Sequence, residues 1–99
     1  MRLDGKTAVV TGAASGIGAA TAEAMAEAGG DIVLADLSAE KGEQHAAALR
    51  ERGLKANFLP IDVASDKSIA EFCKAVLARG PVHVLVNAAG FGRAQPFVE

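Results

Sequence analysis

Short runs of apolar residues alternate along the chain with longer stretches in which apolar residues recur every three or four positions. The runs, such as Ala8-Val9-Val10 and Ile32-Val33-Leu34, have the length and the β-branched content of strands that are buried on both faces. The longer stretches have the period of amphipathic helices. The pattern predicts four strands, at residues 6–11, 31–36, 55–61 and 82–86. Between them it predicts three helices, at residues 17–28, 39–52 and 66–79.

The helical period also predicts which side chains face the core. On the first helix this face comprises Ile17, Ala20, Thr21, Ala24, Met25 and Ala28. On the third helix it comprises Ile69, Phe72, Cys73, Val76 and Leu77. We therefore expect Cys73 to be an inert core residue. No metal site is predicted, because His45 on the second helix and His83 within the fourth strand lack Cys or acidic partners at metal-ligand spacing.

The element order is β-α-β-α-β-α-β, and each crossover is long enough to join parallel strands. Right-handed crossovers, with a reversal after the third strand, predict the spatial order 3-2-1-4. The expected fold class is α/β, the N-terminal portion of a Rossmann-like, doubly wound parallel sheet. Residues 1–99 are expected to form this one portion, with no linker and no second domain.

A cluster of glycines lies where the first strand meets the first helix. Gly12 permits a tight turn, Gly16 lets a ligand approach the backbone, and Gly18 lets the helix pack closely on the strand. The start of a helix has unpaired N–H groups and the positive end of the helix dipole, and a pyrophosphate bound there satisfies both. Most glycine clusters are plain turns, but the flanking strand and helix favour a binding loop here.

Composition and charge exclude several classes of protein. The 99 residues are 51% hydrophobic and 22% charged, with a net charge of -2, which is typical of one small globular domain. No basic run offers a surface for nucleic acid or for an anionic membrane, and no apolar run approaches the length of a membrane span. One cysteine and the lack of a signal-peptide pattern favour a cytoplasmic location.

Residues 11–18, T-G-A-A-S-G-I-G, resemble the cofactor signature of the short-chain dehydrogenase/reductase family, a group of NAD(P)-dependent oxidoreductases with a Rossmann fold. The spacing G-x-x-x-G-x-G is that of the family, and the resemblance extends over the whole chain. It implies that five residues of this segment contact the cofactor: Gly12, Ser15, Gly16, Ile17 and Gly18.

Asp36 ends the second predicted strand, where a carboxylate can accept hydrogen bonds from the adenosine ribose of NAD and repel the 2′-phosphate of NADP. No Lys or Arg lies in residues 12–18 or directly after Asp36 to hold that phosphate. The alternative is an ordinary polar strand end that caps a turn. We predict NAD as the cofactor, with Leu37 covering one face of the adenine.

Two further segments resemble family elements that follow strands. Asp62 matches a family residue that contacts the adenine amino group, and Val63 matches one that lines the adenine ring. The alternative is that Asp62 is a cap or turn residue, as an Asp before a helix more often is. Asn87-Ala88-Ala89-Gly90 resembles the family's N-N-A-G, with Ala88 in place of the second Asn. The resemblance therefore adds Asp62, Val63, Asn87, Ala88, Ala89 and Gly90 to the expected cofactor site.

The family's chemistry uses a Tyr four residues before a Lys, together with a Ser and a further Asn. This sequence has no tyrosine, so no catalytic residue is predicted, and the resemblance implies that those groups follow Glu99. We interpret the chain as a fragment, the NAD-binding half of an enzyme that transfers hydride between NAD(H) and a small alcohol or ketone. The alternative is a stand-alone nucleotide-binding or interaction module without catalysis, and the mass of the purified protein distinguishes the two.

The fourth predicted strand is an edge in the order 3-2-1-4. Residues 82–86 are apolar apart from His83, whereas edge strands are usually charged, short or interrupted by Pro. We therefore expect that the isolated chain is not a stable monomer: it pairs edge to edge through residues 82–86, aggregates, or requires the remainder of a longer protein. For the partners of the protein we expect a homo-oligomer.

Overall fold

The computed structural model describes residues 2–88. Its elements are β1 (Thr7–Thr11), α1 (Gly16–Glu27), β2 (Asp31–Asp36), α2 (Ala39–Glu51), β3 (Lys55–Pro60), α3 (Asp66–Leu77) and β4 (Val84–Asn87). The three helices are each too short or too polar to cross a membrane, and the described residues contain no other candidate span.

All four strands are parallel, in the order β3-β2-β1-β4, which confirms the predicted α/β fold. The register places Thr11 opposite Asn87 on one side, and Asp36 opposite Pro60 on the other. The carboxyl ends of the strands therefore meet at one edge of the sheet, where ligands of open α/β sheets bind.

The start of β4 differs from the prediction, because Val82 and His83 lie before the strand and not within it. The backbone N–H of His83 donates to the Thr7 carbonyl at 2.9 Å, as in a ladder. The N–H of Thr7, however, donates to the Nδ1 atom of the His83 ring at 3.0 Å. Because the imidazole takes this donor, the regular ladder begins one residue later, at Val84.

The core has two sides, and β1 and β2 contribute to both. Alternate residues Ala8, Val10, Ile32 and Leu34 pack with α1 and α2, whereas Val9, Val33 and Ala35 pack with α3. This alternation follows from the pleat of a strand, in which successive side chains point to opposite faces. Both faces of the two central strands are therefore covered, as the continuous apolar runs predict.

The buried face of α1 is only partly the predicted one: Met25 and Ala28 are buried as expected, and the rest of the predicted face is not. Its buried residues are Gly18, Ala22, Met25 and Ala26, whereas Ile17, Ala20 and Ala24 are exposed. The cause is the contact between Gly18 and the turn at Gly12, where any side chain would collide with the backbone. That contact sets the rotation of the helix, so residues four, seven and eight positions after Gly18 meet the sheet.

The prediction that Cys73 is buried is wrong. Phe72 and Val76 hold α3 against the sheet, while Cys73 is exposed and Leu77 has 66% of its surface exposed. Among residues 2–88, α3 is the only helix on its face of the sheet, so its flank has no neighbouring element to cover it. Leu85 of β4 points to the same face, as its partner Val9 does, and is 54% exposed.

Candidate functional site

A cavity of about 550 Å³ opens at the carboxyl edge of the sheet. Its lining residues are Gly12, Ser15, Gly16, Ile17, Asp36, Leu37, Ile61, Asp62, Val63 and Ala88. Residues from four separate strand ends therefore converge on one space. Ile61 also lines the cavity, although the sequence pattern assigned it to the third strand and not to the site. Its position directly before Asp62 could have indicated that it lines the cavity.

The turn between β1 and α1 is held by its own side chains and backbone. Gly12 has a φ of 73°, in the left-handed region that favours glycine. The hydroxyl of Ser15 donates to the Gly12 carbonyl at 2.7 Å and accepts the N–H of Gly18 at 3.1 Å, so Ser15 is the N-cap of α1. Gly18 does not line the cavity; it lies against Gly12, behind the turn.

The first turn of α1 presents two unused donors to the cavity. Within residues 2–88, the N–H groups of Gly16 and Ile17 make no hydrogen bond, and the first turn carries no acidic side chain. A Cβ atom on Gly16 would meet no atom of the described residues within 4 Å, so the space beside these donors is open there. The positive end of the helix is therefore available to an anion.

Two carboxylates lie in the cavity wall, and both are tied to nearby backbone. Asp36 accepts the N–H groups of Ala14 at 3.0 Å and of Ser38 at 2.8 Å. Asp62 accepts the N–H of Ala64 at 3.0 Å, which closes its own turn. No Lys or Arg lines the cavity in the part of the chain that the structure describes. Within the described lining, no basic side chain therefore balances the charge of Asp36.

Three large apolar side chains at the cavity are exposed: Ile17 at 50%, Leu37 at 72% and Val63 at 59%. Exposed apolar side chains that gather around a concave site are typical of a surface that a ligand covers. Ile17, which the helical period assigned to the core face of α1, lies on this exposed surface instead.

The end of β4 is joined to the end of β1. The hydroxyl of Thr11 donates to Oδ1 of Asn87 at 2.8 Å, and the N–H of Ala88 donates to the Thr11 carbonyl at 3.0 Å. Ala88 lines the cavity, whereas Asn87 does not. Ala89 and Gly90, also expected at the site, lie outside the described residues.

Comparison with known proteins identifies the family of this chain. The family model for the short chain dehydrogenase matches residues 6–99. The chain belongs to the short-chain dehydrogenase family. A D-threitol dehydrogenase of Mycolicibacterium smegmatis is 49% identical over 99% of this chain, and an uncharacterized oxidoreductase of Thermotoga maritima is 47% identical over 88%. A crystal structure of an Escherichia coli hydroxysteroid dehydrogenase covers 97% of this chain with a TM-score of 0.87 and 34% identity.

This short-chain dehydrogenase chain spans 38% of the D-threitol dehydrogenase, 34% of the Thermotoga maritima oxidoreductase and 41% of the hydroxysteroid dehydrogenase chain. Each of these relatives is named as an oxidoreductase or dehydrogenase, and none is named as a stand-alone binding module. Short-chain dehydrogenases use a nicotinamide cofactor, NAD or NADP.

Proposed function

We propose that this chain is the NAD-binding half of a short-chain dehydrogenase. The observation that carries the proposal is the pair of unused N–H donors on Gly16 and Ile17, at the positive end of α1 and beside an open cavity. A pyrophosphate supplies the negative charge and the acceptor oxygens that such a helix start favours. The missing side chain of Gly16 leaves room for it.

The rest of the cavity suits the adenosine portion of a dinucleotide. Asp36 lies at the end of β2, where its carboxylate oxygens have acceptor capacity left for ribose hydroxyls. Leu37 and Val63 supply apolar surface for the adenine ring. The absence of Lys and Arg from the described lining favours NAD over NADP, because nothing there would neutralise a 2′-phosphate.

The complete protein would transfer hydride between NAD(H) and a small alcohol or ketone, as the family resemblance implies. When bound, the nicotinamide supplies the hydride chemistry. The residues of this chain bind and orient the adenosine and pyrophosphate half, and they exclude water from its apolar face. With no tyrosine in the sequence, this chain does not supply the proton donor that the family uses.

Titration calorimetry of the full 99-residue chain tests the proposal with NAD, ADP-ribose and nicotinamide mononucleotide. We expect NAD and ADP-ribose to bind with similar affinity, because the described residues hold the half that the two ligands share. Nicotinamide mononucleotide, which lacks that half, is expected to bind much more weakly. A folded chain that binds neither NAD nor NADP would overturn the proposal.

A further inference from the structure

We infer that Asp36 is a positioning residue for the glycine-rich loop, in addition to any contact that it makes with a ribose. This inference rests on the proposed function, because it concerns how the loop is held for a dinucleotide. Its basis is the bond from the N–H of Ala14 to Oδ2 of Asp36, at 3.0 Å, between residues on different strand ends. The other oxygen, Oδ1, accepts the N–H of Ser38 at 2.8 Å.

The hydrogen bonds around the loop show what this contact does. The N–H of Ala13 donates to the Ala35 carbonyl at 3.1 Å, so the start of the loop continues the bonding between β1 and β2. The N–H of Ala14, the next residue, donates to the Asp36 carboxylate and not to a backbone carbonyl. Within the described residues these two bonds are the links between the loop and the end of β2.

Beyond Ala14, the bonds of the loop among residues 2–88 are to the loop itself and to the start of α1. The N–H of Ser15 donates to the Gly12 carbonyl at 3.1 Å, and the Ser15 hydroxyl caps α1 through Gly18. Gly16 and Ile17 are left as the free donors. Asp36 thus fixes the middle of the loop, and the loop in turn sets the direction of the two N–H groups that the proposed pyrophosphate would meet.

The chemistry of a carboxylate allows this role beside ribose binding. An ionised carboxylate has about four acceptor positions on its two oxygens. Two of them are used by backbone N–H groups, one on each oxygen. One position on each oxygen remains for a ribose hydroxyl. Asp36 therefore connects the two ends of the ligand site, because the same side chain contacts the ribose position and the phosphate loop.

A ligand without ribose hydroxyls separates the two roles. We expect Asp36→Ala to weaken binding of 2′,3′-dideoxy-ADP by about tenfold in an NMR titration, because one charge-assisted hydrogen bond to the loop is lost. Binding of ADP is expected to weaken further. Asp36→Asn keeps the shape and one acceptor oxygen, so its effect on dideoxy-ADP should lie between those of the unmutated chain and Asp36→Ala.

Amide hydrogen exchange of the ligand-free full chain gives an independent readout. Asp36→Ala should remove the protection of the Ala14 amide while that of Ala13, which donates to a backbone carbonyl, persists. Leu37→Ala is the matched control, since Leu37 lines the same cavity but makes no bond to the loop. It should leave Ala14 protected.

If Asp36→Ala weakens ADP alone, with dideoxy-ADP affinity and Ala14 protection unchanged, Asp36 acts only on the ribose and the inference is overturned. If the unmutated chain binds no adenine nucleotide, the proposed function fails instead. In that case the exchange of Ala14 still decides whether Asp36 holds the loop.

Discussion

A Cβ atom on Gly18 would lie 2.0 Å from the carbonyl oxygen of Gly12, so the backbones of these two residues are in direct contact. Gly16, on the same helical turn, faces open space. Two glycines of one motif therefore have separate purposes. Gly18 allows α1 to approach the end of β1, and Gly16 keeps the approach to the helix start clear.

These two glycines give a matched pair of variants. Gly18→Ala should lower the free energy of unfolding by more than about 1 kcal/mol, because the added methyl group meets backbone that cannot move aside. Gly16→Ala should change it by less than about 0.5 kcal/mol, since the methyl group meets no atom of residues 2–88. Urea unfolding measures both.

Gly16→Ala should affect the binding of NAD and not the stability of the fold. Gly16→Ala should weaken NAD binding in a fully folded chain, because its methyl group enters the space proposed for the pyrophosphate. A Gly16→Ala chain that binds NAD as tightly as the unmutated one would contradict this assignment, and an unchanged stability of Gly18→Ala would contradict the packing argument.

Cofactor choice is predicted from the charges at the cavity. The unmutated chain should bind NAD more tightly than NADP, since Asp36 repels a 2′-phosphate and no described lining residue is basic. Asp36→Ala should narrow the ratio of the two affinities by removing that repulsion. Asp62→Ala is the control, because it should affect both cofactors equally. Calorimetry with each cofactor gives the ratios, and tighter NADP binding by the unmutated chain would be incompatible with the prediction.

The chain alone should transfer no hydride to any carbonyl substrate. Its sequence has no tyrosine, and so lacks the Tyr-Lys pair that the family uses to donate and relay a proton. The measurement is NADH consumption with a panel of ketones, using a preparation whose mass has been verified. Turnover above background would require another acid, to be sought among Asp62, His45 and His83.

The chain should self-associate through the side of the sheet that β4 forms. Leu85 and Leu77 expose apolar surface on one face there, and β4 is an edge strand within the described residues. Leu85→Lys should shift the chain toward the monomer, because a charge on that face opposes burial against another copy.

Val84→Lys is a less informative variant, since Val84 packs partly against the α1 and α2 side of the core. Sedimentation at micromolar concentration decides; a compact, cooperatively melting monomer of the unmutated chain would show that this edge is not an association surface.

Much of the fold follows from the sequence because the signals agree with one another. The apolar runs at β1 and β2 are short, continuous and bounded by glycine or polar residues, which leaves little choice of element. The glycine spacing and the acidic residue that ends β2, Asp36, then locate the cavity. What the sequence pattern did not determine is the rotation of α1, because its many alanines form more than one small-residue stripe.

Contacts between distant residues were also beyond the sequence pattern. Asp36 could be placed at a strand end, but its bond to Ala14 depends on how far the loop folds back over β2. The start of β4 depends on the His83 ring taking the N–H of Thr7, which no local propensity describes. The exposure of Cys73 depends on which elements lie beside α3, and the helical period alone does not contain that information.

Because Cys73 is exposed, its thiol can be labelled with a probe. It is the sole cysteine of the sequence, and it lies one turn before Leu77 on the uncovered flank of α3. A maleimide or an environment-sensitive dye can therefore be attached at one defined point without mutation. The rate of alkylation and the emission of the dye would register when another chain, or a longer form of this protein, covers that flank.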